Sequence, residues 1–208
     1  MSRDFILHKV RTALGRSPEQ PIADPPPVRI RLPQMDAKAR VASMLERVEA
    51  LAGIAVETAD PRAFVADAIA GKTAVTSNAP YLTACGIPSL PGVRGGITDR
   101  EELRALCATV DVGITSADYA LADTGTLVMI ASPAEARLVS LLPPEHIAVV
   151  PRGRILSGLD ELFSILPNPA EQTSSMVLIT GPSRTADIEQ ILVRGVHGPG
   201  KITVVVGP

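Results

Sequence analysis

Thr115-Ser-Ala-Asp-Tyr-Ala-Leu-Ala-Asp-Thr-Gly-Thr-Leu-Val-Met-Ile130 sets hydroxyls, two carboxylates and a glycine between two apolar runs, Val110 to Ile114 and Leu127 to Ile130. Both runs read as buried strands, because each is a short apolar stretch bounded by turn-forming residues. Polar groups gathered between core strands need a reason, and two readings stand open. Asp123, Thr124 and Thr126 can form an Asx-type turn that satisfies its own backbone, with Gly125 supplying a positive φ. Alternatively, Gly125 lets backbone N–H groups approach a ligand, and the threonine hydroxyls complete a cradle for an anion or carboxylate.

Outward from this stretch, strand-like and helix-like segments alternate. Upstream, Asp36 is placed to cap a helix carrying Val41, Met44, Leu45, Val48 and Leu51 on one stripe, with Gly53 expected at its end. Ile54 to Glu57 follows as a short strand. Asp60-Pro61 opens a helix through Phe64, Val65 and Ile69, and Thr73 to Thr76 is the next strand. Thr98-Asp-Arg-Glu101 reads as a capping box ahead of Leu103 and Leu106.

Downstream, Ser132-Pro-Ala-Glu135 reads as a second capping box, whose helix buries Leu138, Val139 and Leu142. Ile147 to Val150 is a strand, Ser157 caps a helix through Leu166, and Met176 to Thr180 is a strand. A loop, Gly181 to Thr185, leads to a helix expected from Asp187 through Leu192, and Ile202 to Val206 is the final strand. Several strands are apolar without alternation, as when helices cover both faces of a parallel sheet. The reading is an α/β protein, a three-layer α/β/α sandwich with a mostly parallel sheet.

Residues 1–34 stand apart from this domain of residues 35–208. A short helix from Asp4 to Leu14 precedes a segment with Pro18, Pro21, Pro25, Pro26, Pro27 and Pro33, which reads as an extended arm.

Composition narrows the function. The chain of 208 residues has no Trp, two Tyr and three Phe, so its core is aliphatic and a base-stacking platform is disfavoured. A net charge of −2 gives no broad attraction to nucleic acid or anionic lipid. No apolar run approaches a membrane span. Cys85 and Cys107 are the only cysteines and read as buried thiols of a reducing cytoplasm; no metal-ligand cluster surrounds them.

In parallel α/β sheets ligands bind beyond the carboxyl ends of the strands. Ser77 and Asn78, Thr115, Ser116 and Asp118, Arg152 and Arg154, and Ser183, Arg184 and Thr185 each follow an expected strand. Their hydroxyls and guanidiniums are expected to converge on one edge suited to a small anion. Asp123 to Thr126 precedes its strand and joins that edge only if the strand is antiparallel or the loop folds back. Glu135, Asp187 and Glu189 read as favourable charges at helix starts, and His146 and His197 as structural. No catalytic residue is assigned, and the standard nucleotide, hydrolase and zinc motifs are missing.

Three motifs say more: Tyr119-Ala-Leu-Ala-Asp-Thr-Gly-Thr-Leu-Val128, the run Ser132 to Ile147, and Gly181-Pro-Ser-Arg-Thr-Ala-Asp-Ile-Glu189 with Gly195-Val-His-Gly-Pro199. In this order and spacing they resemble the LUD domain of the LutC/YkgG family of lactate utilisation proteins. The resemblance runs from Asp36 onward, and the leading helix and proline arm are similar to that family's leader. It implies a NagB/RpiA/CoA-transferase-like fold and a part in oxidising L-lactate to pyruvate. It further implies a complex with cysteine-rich partner proteins that carry the iron–sulfur clusters, none being bound by this chain. The competing expectation is an independent enzyme that binds a phosphorylated sugar or acyl-CoA at the sheet edge.

Overall fold

The structure, a computed structural model, describes residues 2–17, 35–186 and 192–208. The chain divides into two units, Met1–Arg31 and Leu32–Pro208. The first holds helix α1, Arg3–Ala13, capped by the Ser2 hydroxyl, which accepts from the Phe5 N–H at 3.3 Å. Phe5, Ile6, Val10 and Leu14 are all exposed on it. Most of the proline-rich arm lies outside the described residues.

The second unit is built on six parallel strands in the order β1 (Ile54–Glu57), β12 (Lys201–Gly207), β7 (Glu145–Pro151), β4 (Val112–Ser116), β2 (Ala74–Thr76) and β3 (Val93–Arg94). Its central strands are buried on both faces, which explains their unbroken apolar runs. In β7 the alternation divides between two cores. Ala148 and Val150 face Val41, Met44 and Val48 of α2 (Ala37–Ala50). Ile147 and Val149 pack with Val65 of α3 (Pro61–Ala68) and Leu82 of α4 (Pro80–Ala84). Helix α5 (Arg100–Cys107) and helix α6 (Arg137–Leu141) share a further apolar cluster through Cys107 and Val139.

Local chemistry explains the helix starts. Asp36 accepts from Ala39 N at 2.7 Å, and Asp60, followed by Pro61 in the first turn, accepts from Ala63 N at 2.9 Å. The start of α5 is displaced by one residue from the expected box: Asp99 caps it by accepting from Glu102 N at 2.8 Å. Helix α2 closes with paired bonds from Ala52 N to Glu49 O and from Gly53 N to Val48 O. The left-handed position falls on Ala52, at φ 63°, and not on the expected Gly53.

The parallel-sheet reading holds for the main sheet, but the stretch from Thr115 to Ile130 serves two sheets. After β4 the chain forms β5 (Tyr119–Leu121) and β6 (Thr126–Ile130), which pair antiparallel. With β8 (Ile155–Leu156) and β9 (Met176–Ile179) they make a second, four-stranded sheet in the order β8-β5-β6-β9. Gly125, at φ 68°, closes the β5–β6 turn by donating to Leu121 O at 2.9 Å. Leu127 and Met129 of this sheet share the core of α2. One flank of the main sheet is therefore part helix and part sheet.

Helices α7 (Leu159–Ile165) and α8 (Pro169–Gln172) lie between β8 and β9. The helix expected to end at Leu192 is corrected there. Leu192 opens β11 (Leu192–Arg194), which pairs antiparallel with β10 (Arg184–Ala186), while Asp187 to Ile191 lie outside the described residues.

Candidate functional site

At the carboxyl edge of the main sheet the ends of β2, β4 and β7 bring Ser77, Ser116, Asp118 and Arg154 into one neighbourhood. A cavity of about 390 Å³ opens there, lined by Ser116, Asp118, Tyr119, Ser132, Glu135 and Arg154 among others. A second cavity, of about 660 Å³, lies beside it and shares Ser132 and Ala134. It is lined by Ser77 and Asn78, by the guanidinium-bearing Arg100, Arg104 and Arg137, and by an apolar floor that includes Leu103 and Val139. Both volumes lie in the range of small-molecule pockets.

Glu135 is the side chain that chain-order reasoning assigns to another task. The Ser132 hydroxyl does accept from Glu135 N at 3.0 Å, as a capping box requires. The Glu135 carboxyl does not turn back to the Ser132 N–H. Its Oε2 accepts from Ser77 Oγ at 2.7 Å and from Ser116 N at 3.3 Å, and helix α6 starts only at Arg137. The residue is 5% exposed, and Oε1 is buried with no hydrogen-bond partner among the described residues. Burial pushes this carboxyl up to about 8, further raised by the nearby Asp118 and partly offset by the Ser77 and Ser116 bonds. At neutral pH it is mostly the neutral acid. Nothing local in the sequence signals this, since Ser77 and Glu135 are 58 positions apart.

Asp118 accepts from Ile130 N at 2.7 Å, and burial raises its carboxyl above the ordinary value. Arg154 donates to Tyr119 Oη at 3.2 Å, and its guanidinium lies 5.3 Å from the centre of the same ring. Arg152 is instead paired with Glu57, so its charge is matched at the end of β1. Asn78 reaches the second cavity, but its amide pins the neighbouring loop. Nδ2 donates to Ile97 O and Oδ1 accepts from Gly96 N, each at 2.9 Å.

The remaining sequence candidates gather elsewhere. Asp123, Thr124, Gly125 and Thr126 form the β5–β6 turn, which folds back against the last turn of α2. A Cβ on Gly125 would lie 2.8 Å from Arg47 Cβ. Arg184 donates to Leu51 O, just ahead of β1, and Ser183 N donates to Pro199 O, just ahead of β12. Thr185 pairs with Val193 in the β10–β11 hairpin. These residues sit by the amino ends of the main strands, so the structure does not bring them to Asp118 and Asn78. In the turn, Thr124 Oγ1 donates to Asp123 Oδ1 at 3.1 Å and lies 2.8 Å from Thr126 Oγ1, which lies 2.9 Å from Thr180 Oγ1.

His146 is buried in β7 with Nε2 2.8 Å from Thr115 Oγ1, and Nδ1 has no partner among the described residues. Burial alone holds it down to about 4, so it is neutral. Cys85 is half-buried and Cys107 buried, both as free thiols. Among the described residues no three His, Cys, Asp or Glu side chains gather where a metal ion could be held, and no helix is long and apolar enough to cross a membrane.

Comparison with known proteins agrees with this architecture. A lactate utilization protein C from Exiguobacterium sp. is 38% identical over 109 residues, which is 50% of this chain and 47% of that relative. Lactate utilization protein C 1 of Bacillus mycoides is 34% identical over 139 residues, 62% of this chain and 59% of the relative. The lactate utilization protein C of Bacillus subtilis is 43% identical over 95 residues, 44% of this chain and 40% of the relative. The chain thus spans about half the length of the curated relatives it matches. The crystal structure of a DUF162 family protein from Deinococcus radiodurans is similar with a TM-score of 0.64 at 18% identity, over 84% of this chain and 100% of that one, a likeness of fold. Residues 36–206 match the family described as LUD domain. The chain belongs to the LUD domain family.

Proposed function

We propose that this LUD domain is a non-redox component of a system that oxidises L-lactate, and that it holds a small carboxylate of the lactate and pyruvate class in the 390 Å³ cavity at the carboxyl edge. The observation that carries the reading is that the lining of that cavity combines the Arg154 guanidinium, the Ser116 and Ser132 hydroxyls and a Glu135 carboxyl that burial raises to about 8. A guanidinium supplies the charge that a carboxylate needs, and a neutral acid in the same lining adds no repulsion. The names of the similar proteins from Exiguobacterium, Bacillus mycoides and Bacillus subtilis support the metabolic setting.

In this reading electron transfer belongs to others. The iron–sulfur clusters belong, on this reading, to cysteine-rich partner proteins in the cytoplasm, as the LutC/YkgG resemblance implies. The same reading assigns their docking to the Asp123 to Thr126 turn and the Ser183 to Thr185 loop, by the amino ends of the main strands.

A second reading has its own support. Arg100, Arg104 and Arg137 line the larger cavity without a carboxylate partner among the described residues, which suits a phosphorylated sugar or an acyl-CoA. Thermal unfolding of the chain with L-lactate, pyruvate, sugar phosphates and CoA esters separates the two. A ligand at a hundred times its dissociation constant stabilises by about 2.7 kcal/mol. Stabilisation by lactate or pyruvate, with loss of growth on L-lactate when the gene is removed, is the expected result. Stabilisation only by phosphates or CoA esters transfers the chain to the second reading.

A further inference from the structure

The larger cavity, of about 660 Å³, differs from its neighbour in charge. Its lining carries Arg100, Arg104 and Arg137 and, among the described residues, no Asp or Glu, whereas Asp118 and Glu135 both line the smaller one. In a chain with 20 basic and 22 acidic side chains, three guanidiniums around one acid-free hollow are a local concentration of charge. Arg100 and Arg104, four residues apart, stand on one side of α5 and repel each other. Two acids at the start of that helix are engaged elsewhere: Asp99 caps it, and Glu102 pairs with Arg94 at 3.0 Å. Arg137 opens α6 and donates only one of its five N–H groups, to Ser175 Oγ at 3.1 Å. Guanidiniums stay protonated at every pH a protein works at, so this charge is permanent.

The walls of this cavity are tied to one another by the protein itself. Asn78 N donates to Ala134 O at 2.8 Å, and the Asn78 amide holds Gly96 and Ile97, so the end of β2 fixes the loops on either side of it. Such a preformed hollow holds a ligand without first being ordered by it. Ile97, Leu103, Leu138 and Val139 give it an aliphatic surface, and among the described residues no aromatic ring lines it to stack a base. Resting on the second reading above, we propose that this cavity binds an organic diphosphate with an aliphatic body, the phosphates on Arg100, Arg104 and Arg137 and the body on Ile97, Leu103 and Val139. The ligand is then not a rival of the small carboxylate: the two occupy neighbouring cavities at the same time.

Calorimetric titration of the full chain with inorganic pyrophosphate, geranyl diphosphate, coenzyme A and glucose 6-phosphate tests this. Geranyl diphosphate or coenzyme A is expected to bind at least about tenfold tighter than pyrophosphate or glucose 6-phosphate, and which of the two leads tells a plain hydrocarbon body from a pantetheine arm. Replacing Arg100→Gln and Arg104→Gln together should weaken that binding at least about tenfold, and Arg137→Gln alone should weaken it severalfold. Arg152→Gln removes the same charge outside the lining and should change the affinity less than about twofold. Saturating pyruvate should leave the affinity within about twofold, since it sits next door. A double Gln protein that is folded by circular dichroism and binds like wild type overturns the proposal, and so does displacement of the diphosphate by pyruvate. Glucose 6-phosphate as the tightest ligand overturns it while the second reading survives. A chain that binds none of the four defeats both, and leaves the small-carboxylate reading to its own test.

Discussion

Beside the amino ends of the main strands, the hydroxyls of Thr124, Thr126 and Thr180 bond one another and Asp123 in an unbroken chain, whereas beyond the carboxyl ends Glu135 keeps one buried oxygen with no partner among the described residues. The first region is denser in polar residues along the sequence and spends them internally. The second draws its polar groups from β2, β4 and the segment before α6, and leaves one unspent. Density of hydroxyls and carboxylates in a stretch of chain thus reports a well-satisfied turn as readily as a binding edge. A buried donor or acceptor left over is the stronger sign of a ligand.

The sharpest way to break this contrast is at the turn. Gly125→Ala imposes a side chain at φ 68° and puts its Cβ 2.8 Å from Arg47 Cβ and 2.9 Å from Val48 N. We expect a loss of about 3 kcal/mol or more in denaturant unfolding, the sum of a strained backbone and a displaced helix end. A loss under 1 kcal/mol would mean that the turn is not braced on α2.

The carboxyl edge is probed next, through pH. Glu135 rises from 4.5 to about 8 on folding, so between those values the folded state holds a proton that the unfolded state has lost. Stability therefore falls as pH rises through that window. Glu135→Gln removes the slope and is expected to leave the variant more stable than the wild type at pH 8.5, by on the order of 3 kcal/mol, with no such advantage near pH 4. His146 acts with the opposite sign. It is held down from 6.5 to about 4, so the unfolded state takes up the proton first and stability falls as pH drops through that range. Parallel pH profiles for wild type and Glu135→Gln would remove the neutral acid from the account.

Smaller effects sharpen the picture of the turn. Thr126→Val leaves the hydroxyls of Thr124 and Thr180 without their shared partner at a site 4% exposed, and is expected to cost about 1–2 kcal/mol. Ala52→Gly relieves a left-handed alanine at the end of α2 and should stabilise by about 1 kcal/mol, raising Tm by roughly 2–4 °C. A variant no more stable than wild type would show that the strain is absorbed locally.

Elements fixed by their neighbours in the chain were legible in advance. The Asp36 cap and the Val41, Met44 and Val48 stripe placed α2, and unbroken apolar runs placed β7 and β12 in a parallel sheet. What depended on distant pairing was not. Met176 to Ile179 lies antiparallel to Thr126 to Ile130, and an apolar run carries no mark of which sheet it will join. The same limit hid the site. Ser132-Pro-Ala-Glu135 matches a capping box and keeps its Glu135 N to Ser132 Oγ bond, but no helix starts there, and the carboxyl is claimed by Ser77 across the fold. Local rules gave the Glu135 side chain the wrong destination.

Strand β12 lies between β7 and β1, and among the described residues β1 has no other strand partner. As the polypeptide emerges from a ribosome, β1 must wait for residues 201–207 before it can be covered, so that edge of the sheet closes only after every strand between them has been made. Until then Val56 and the apolar flank of α2 stay without part of their lining, an interval in which chaperones have something to hold.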